Sequence, residues 1–469
     1  MKKISIFISI LLTITYLLLG YLIYDLGVLS NNIIFTFFII GLVFILILDL
    51  IMIISKSKVI KILLYILSII LSILFGIGIH YLNTTRSFIK SFNKPSEKYN
   101  YYYIVVNKDS TYLKYEDLED KIIGACENFT KDVYNKITID YKLEEKTSEE
   151  DLVDSLYNNS LDAILISDVK EYFIEEKYVD FKDKVRVLKT IKIKKEEPII
   201  DSGKDISKEP FVIFISGIDT SGKISKVSRS DVNIVVTVNP STYEVLLTAI
   251  PRDYYVRLHN TTGYKDKLTH AGIYGIDMSI NTIEDLLGVN IDYYARVNFD
   301  TVINLVDEIG GIEIYSDQNL RFCDIKKGYN YLDGKCALRF ARERKSYTTG
   351  DRHRGENQEE VIKAIIKKVQ SNPTLLTKYD KILGNLENNF ETNVDMDVVK
   401  SFVKLQSKKM PTWNVNAYNL DGFGSSNYTY SMGKRLLYVM EPDLDTVNNA
   451  NTYINGIIEG KKFSELKGE

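Results

Sequence analysis

The stretch Ala341–Gln358 reads ARERKSYTTGDRHRGENQ and concentrates groups that can hold a phosphorylated substrate. Arg342 and Arg344 lie two residues apart, a spacing that on a strand sends both side chains from one face. Asp351, Arg354 and Gln358 recur at i, i+3 and i+7, which is one face of a helix. Brought together, these residues offer three guanidinium groups, a carboxylate and an amide. Guanidinium forks match phosphate oxygens in pairs, and an acid beside them suits a divalent cation on a pyrophosphate. A solvated salt-bridge network is the plainer alternative for a charge-rich segment. The chain carries a formal charge of −3, so the local basic cluster stands against a slightly acidic whole. We read an anion site.

Two further places can carry chemistry. Asp231 enters an apolar strand just after Arg229 and Ser230 in KVSRSDVNIVVTV, where it is either a turn or cap residue or a ligand. Arg252 follows the strand YEVLLTAI in the triplet Pro251-Arg252-Asp253, at a strand end where sites are commonly placed. A snorkelling surface arginine is the alternative there. His270, in KLTHAG, admits a site role or a core or surface one. The segment SGIDTSG contains glycines, but no GxxxxGK[ST] or GxGxxG occurs, which argues against ATP and nicotinamide chemistry. The lack of GxSxG argues against a serine hydrolase, and the lack of CxxC against zinc or iron–sulfur.

The elements that must position these residues fall into unlike parts. Ile4–Tyr24, Ile33–Ile54 and Ile62–Leu82 are three apolar runs, each long enough to cross a hydrocarbon core. Lysines precede the first and separate the second from the third (Lys56, Lys58, Lys61), while Asp25–Asn32 has no Lys or Arg. The positive-inside rule then places the N-terminus in the cytoplasm and everything after about Thr84 outside. Asp49, inside the second span, is either functional or close enough to the cytoplasmic end to reach the interface.

Beyond the membrane, YYYIVV reads as a strand, the run from Glu116 to Ile137 as a helix, SEEDLVDSLYNNS as a second helix and DAILIS as a strand. That alternation makes a small α/β accessory domain, a spacer or interaction unit. The Lys/Glu-rich stretch from Val187 to Pro210 reads as the link. After it, FVIFISGID, VNIVVTV and YEVLLTAI read as strands, the last two joined at Asn239–Thr242 as a hairpin. MSINTIEDLLG, TVINLVDEIGG and QEEVIKAIIKKVQ read as helices and GIEIYS as a strand. The fold class is therefore α/β, with three transmembrane helices over 1–83, the accessory domain over 84–200, a linker over 201–210 and a main domain over 211–469. The main domain is expected to pack helices on a central mixed sheet. Cys323 and Cys336 flank IKKGYNYLDGK and could pair across a hairpin or stay as buried thiols.

The order of motifs resembles the LytR-CpsA-Psr proteins of Gram-positive bacteria, over about Phe211–Ile458. It is carried by GID at Gly217–Asp219, RSD at Arg229–Asp231, IPRD at Ile250–Asp253, KDKLTHAGIYG at Lys265–Gly275, VDEIGG at Val306–Gly311, Leu332–Leu338, and RER...DRHRGENQ at Arg342–Gln358. Three spans and an intervening domain resemble the capsule-type branch. Many wall-teichoic-type members have Arg where this chain has Asn357, and capsule-type members resemble it there.

The resemblance implies a phosphotransferase outside the cell, moving a glycopolymer from an undecaprenyl-pyrophosphate carrier to a peptidoglycan hydroxyl. It implies Mg²⁺, or Mn²⁺, held with help from Asp231. Arg252, Arg342, Arg344, Arg354 and Gln358 would then bind the pyrophosphate, joined by Arg229 and Lys267, and Asp351 would orient an arginine or assist the metal. Asp231, Arg252, Arg342, Arg344 and Asp351 are the expected catalytic set. The carrier's tail asks for an apolar tunnel beside the head-group site, for which GIYGID and VNFDTVINLV are candidate linings, although an ordinary core reads the same way. The implied partners are the lipid-linked polymer, peptidoglycan and the bilayer, with no nucleic acid. A polyprenyl-pyrophosphate phosphatase and a non-enzymatic regulator of export or chain length are the competing readings.

Overall fold

Three helices at the N-terminus are long and apolar enough to cross a membrane: α1 (Lys2–Leu26), α2 (Asn31–Ile54) and α3 (Lys58–Phe92). The structure, a computed structural model, describes residues 2–26, 31–92, 99–127, 129–195, 203–221, 224, 227–348, 350–372, 389–394, 398, 401–402, 405 and 411–468. Polar contacts stitch the helices together: Ser5 Oγ lies 2.8 Å from the Tyr65 hydroxyl, and Thr13 Oγ1 donates to Asp49 Oδ2 at 3.2 Å. Asp49 thus turns inward to α1 and is buried. The third helix runs eight residues past Thr84 before it ends at Phe92.

The accessory domain is a five-stranded sheet in the order β3-β2-β4-β1-β5. Its strands are β1 (Tyr99–Asn107), β2 (Lys121–Ala125), β3 (Tyr141–Glu145), β4 (Ala163–Ser167) and β5 (Val185–Lys194). Helices α4 (Glu149–Tyr157) and α5 (Asp168–Lys177) pack on it, each capped by a serine hydroxyl, Ser148 and Ser167. Two expectations need correction. The run from Glu116 to Ile137 is not one helix, because Lys121–Ala125 forms the strand β2. A short apolar run cannot be assigned by periodicity alone, and here a Cβ on Gly124 would meet Leu161 Cδ1 at 2.3 Å, a tight packing against the sheet. Nor is Val187–Lys194 part of the link, since it pairs along β1 as an edge strand.

The main domain is built on a six-stranded mixed sheet: β6 (Phe211–Ile218), β7 (Ser230–Asn239), β8 (Glu244–Ala249), β9 (Tyr293–Val297), β10 (Phe390–Thr392) and β11 (Asn414–Asn419), in the order β10-β9-β6-β7-β8-β11. Pairings β9–β6 and β8–β11 are parallel and the others antiparallel. One face of the sheet, through Phe214, Val235 and Leu246, is buried under α7 (Ile276–Leu287) and α11 (Leu444–Ile458). Helices α8 (Phe299–Glu308), α9 (Gly334–Arg342) and α10 (Asp351–Ser371) share a separate core with the hairpin Ile312–Leu332. Gly334 lets α9 start hard against α8, because a Cβ there would lie 2.2 Å from the Ile303 carbonyl oxygen. Cys323 and Cys336 are disulfide-bonded across this unit, with Cα atoms 6.0 Å apart.

The two extramembrane domains are docked. Phe173 of α5, fully buried, packs edge-on against His270 and beside Tyr274, both on the short helix α6 (Leu268–Tyr274), with ring centroids 5.6 and 5.7 Å away. Ile273 and Met432 complete that contact. His270 is therefore structural: it is buried and its Nδ1 lies 2.7 Å from Asp266 Oδ1.

Candidate active site

Adjacent antiparallel strands deliver the first two groups. Asp231 is the second residue of β7, and Arg252 follows the end of β8, its neighbour. The ends of these strands lie side by side, and Arg252 Nη1 donates to Asp231 Oδ2 at 2.7 Å. Thr269 Oγ1 donates to the other oxygen, Asp231 Oδ1, at 3.0 Å. Thr269 is itself fixed by its amide, which donates to the Arg252 carbonyl at 2.8 Å. Gly272, one helical turn further on α6, allows this close crossing: a Cβ there would lie 2.6 Å from the Ser230 amide nitrogen.

The helices α9 and α10 deliver the rest. Arg342 is the last residue of α9 and Arg344 lies two residues beyond. The pair therefore leaves a helix C-terminus and not a strand, which corrects the spacing argument. Arg342 stacks over the Phe299 ring at 4.1 Å and its Nη2 lies 3.5 Å from Asp219 Oδ1. Arg354 and Gln358 project from α10 one turn apart, and Arg354 is buried. Asn357, also buried, donates through Nδ2 to the Phe340 carbonyl at 3.1 Å, which ties α10 to the end of α9 that carries the two arginines. His353 stacks on Tyr347 at 3.4 Å and holds the connecting turn.

These elements enclose one cavity of about 410 Å³. Its lining includes Arg252, Arg342, Arg344, Arg354, Gln358 and Asp231. The remaining wall is apolar: Ile215 and Ile218 from β6, Val302 and Leu305 from α8, Leu338 from α9, and Ile362, Ile365 and Ile366 from α10. Such a space suits a ligand with an anionic head and a hydrocarbon body. Of the two segments expected to line it, VNFDTVINLV does so through Val297, Phe299, Val302 and Leu305. GIYGID does not: Ile273 and Tyr274 are committed to the contact with the accessory domain.

Two expected site residues stand elsewhere. Arg229 pairs with Glu176 of the accessory domain. Lys267 Nζ donates to Asp253 Oδ1 at 2.9 Å. Both line a neighbouring cleft instead of the cavity. The Asp351 side chain lies outside the described residues; its backbone opens α10.

Asp219 was not among the expected ligands, yet it lines the cavity with Asp231. The readable sign was an acid just past the apolar strand FVIFISGI, at the same end of the sheet as Asp231. No cluster of three His, Cys, Asp or Glu occurs among the described residues. Asp219 and Asp231 are the carboxylates of the cavity lining, and Mg²⁺ takes one or two carboxylates and completes its shell with water and substrate phosphate. One further acid stands close behind. Glu359 is buried beside Gln358, its Oε2 accepts from Asn419 Nδ2 at 3.0 Å, and burial pushes its carboxyl up to about 8.

Comparisons with known proteins agree with the motif order. Biofilm regulatory protein A of Streptococcus mutans serotype c is 31% identical over 262 residues, 50% of this chain and 64% of that protein, so less than two thirds of its length is matched. The polyisoprenyl-teichoic acid–peptidoglycan teichoic acid transferase TagU of Bacillus anthracis is 35% identical over 211 residues, 44% of this chain and 68% of that protein. TagV of Bacillus subtilis, named as the same kind of transferase, is 32% identical over 255 residues, 51% of this chain and 62% of its own. Among solved structures, TagT bound to LIIa-WTA aligns at 24% identity and TM-score 0.45 over 56% of this chain and 94% of that one. The crystal structure of Bacillus subtilis TagV aligns at 30% identity and TM-score 0.43, over 54% and 98%. Residues 177–450, more than half of the sequence, match the LytR_cpsA_psr family. The chain belongs to that family.

Proposed function

We propose that the protein is a membrane-anchored phosphotransferase that moves a glycopolymer from a polyprenyl-pyrophosphate carrier to a hydroxyl of peptidoglycan. The observation that carries this reading is a cavity of about 410 Å³ lined by four arginines together with isoleucine, leucine and valine. The named transferases among its relatives act on a polyisoprenyl-linked polymer, which supports the same substrate class. The three N-terminal helices would anchor the chain with its N-terminus in the cytoplasm and the cavity outside, where undecaprenyl-linked capsular or wall polymers are delivered.

Arg252, Arg342, Arg344 and Arg354 bind the pyrophosphate and neutralise charge as it develops, and Gln358 adds an amide donor. The acceptor hydroxyl forms a new O–P bond at the polymer-bearing phosphorus. The P–O bond to the lipid phosphate breaks, polyprenyl phosphate leaves on the apolar side, and the hydroxyl proton passes to solvent. Asp231, with Asp219, would hold Mg²⁺ (or Mn²⁺), which when bound supplies Lewis-acid neutralisation of the phosphates. Thr269 and Arg252 keep the Asp231 carboxylate oriented. Release of lipid phosphate, followed with and without a peptidoglycan oligosaccharide, tests the assignment. Release that depends on the acceptor is the expected result; equal release without it would mean hydrolysis, and none in either case would mean a binding protein.

A further inference from the structure

A second cavity, also about 410 Å³, opens between the accessory and main domains. Its accessory wall is Glu175 and Glu176 of α5 with Val179 just beyond, and its other wall carries Arg229, Lys267 and Arg435. Arg252 lines both this cleft and the carrier cavity, so the two spaces meet at this residue. Another hollow at Arg252, beside Ile250 and Leu420, is about 20 Å³, room for a water but not for a sugar ring. The domains cannot drift apart freely there, because Phe173 is fully buried against His270 and Tyr274 close by.

Most charges in the cleft are already matched, with Arg435 held only by a backbone carbonyl. Arg229 pairs with Glu176, Lys267 with Asp253 at 2.9 Å, and Glu175 with Lys182 at 2.7 Å. Arg435 Nη1 donates to the Glu176 carbonyl at 3.1 Å. A polyanion gains little from a wall of compensated pairs. A neutral polyhydroxylated ligand gains more, since paired carboxylates and guanidinium groups keep spare acceptors and donors for hydroxyls. Val179 and Leu437 supply apolar surface for the C–H face of a sugar ring. An in-line displacement needs its nucleophile on a different side of the phosphorus from the leaving lipid.

We propose that this interdomain cleft is the acceptor subsite, that it takes a neutral saccharide, and that the accessory domain forms one wall of it. The proposal rests on the transferase reading above. A hydroxyl of the bound sugar attacks the polymer-bearing phosphorus held at Arg252, with the bonds and proton as written there.

The test is saccharide binding by the full chain in nanodiscs, without donor, so that it does not depend on turnover. The probe is a β-1,4-linked N-acetylglucosamine tetramer, titrated calorimetrically. Val179 is 94% exposed, so Val179→Trp fills the mouth without touching the core. Arg435→Ala, also at the surface, removes one donor from the other wall. We expect the wild type to bind, Val179→Trp to weaken binding at least tenfold and Arg435→Ala severalfold. Affinity for a polyprenyl pyrophosphate lacking sugars should stay within twofold in both. No tetramer binding by the wild type, or equal binding by Val179→Trp, overturns the proposal whatever the carrier affinity shows. If Val179→Trp instead weakens only a carrier bearing sugars, the cleft holds the donor's saccharide and the acceptor assignment is wrong. Loss of carrier binding by the wild type would count against the transferase reading and not against the cleft.

Discussion

Asp231 and Arg252 meet at 2.7 Å across the ends of two neighbouring antiparallel strands. The sheet brings them together before any helix contributes, so a carboxylate and a guanidinium sit fixed at the rim of the cavity. Asp231→Asn keeps the shape but removes the charge that orients Arg252. The expected result is a loss of about 10²–10³ in turnover, with carrier affinity changed far less. Steady-state kinetics with the full chain checks it; a variant retaining a tenth of wild-type turnover would remove Asp231 from the catalytic set.

Gly272→Ala tests how tightly α6 is pressed on that rim. The new Cβ would lie 2.6 Å from the Ser230 amide nitrogen and 2.9 Å from the Ser228 carbonyl oxygen, backbone atoms that cannot rotate away. Overpacking of this kind costs about 1–3 kcal/mol. Thermal unfolding should show a lowered midpoint, and turnover should fall with it because Thr269 and Asp231 shift.

Glu359 gives the fold a pH dependence of predictable sign. Its carboxyl is raised to about 8 by burial, so between the ordinary carboxylate range and that value the folded state holds a proton that the unfolded state has lost. Its contribution to stability is complete below the ordinary range and declines as pH rises through about 8. Glu359→Gln should therefore match wild-type stability near pH 4 and exceed it at pH 8 and above. Equal unfolding midpoints for the two proteins at both pH values would contradict this.

The apolar part of the cavity can be narrowed without touching its arginines. Val302→Phe adds bulk from α8 into the space lined by Leu305 and Ile365. Turnover of a long-chain polyprenyl donor should drop at least tenfold, while a donor with a two-isoprene tail should be little affected. Equal losses for both donors would mean the tail runs elsewhere.

How much of this was readable in the sequence depends on the range of the interaction concerned. Asp351–Gln358 carries its helix period on its face, and Asn239–Thr242 carries its hairpin, so those elements could be placed from local pattern alone. The spacing of Arg342 and Arg344 was misleading, because α9 continues to Arg342 under the pull of the core around Phe340 and Ala337. Lys121–Ala125 is too short a run for periodicity to tell strand from helix. The placing of Arg229 was not legible at all. It depends on Glu176, fifty-three residues earlier, and on the docking of an accessory domain through Phe173. In the sequence Asn357 shows only as a departure from the family's commoner Arg, whereas its amide holds the Phe340 carbonyl and so positions the end of α9.

The most direct test of the central claim compares wild type and Arg344→Ala, full chains in nanodiscs, supplied with a polyprenyl-pyrophosphate saccharide, Mg²⁺ and a peptidoglycan oligosaccharide. Arg344 is exposed at the cavity mouth, so the substitution should leave the fold intact. Mass spectrometry reads the phosphodiester-linked product. The account predicts product from the wild type and at least a hundredfold less from Arg344→Ala, with unchanged thermal unfolding. Equal product from both, or none from the wild type, would contradict it.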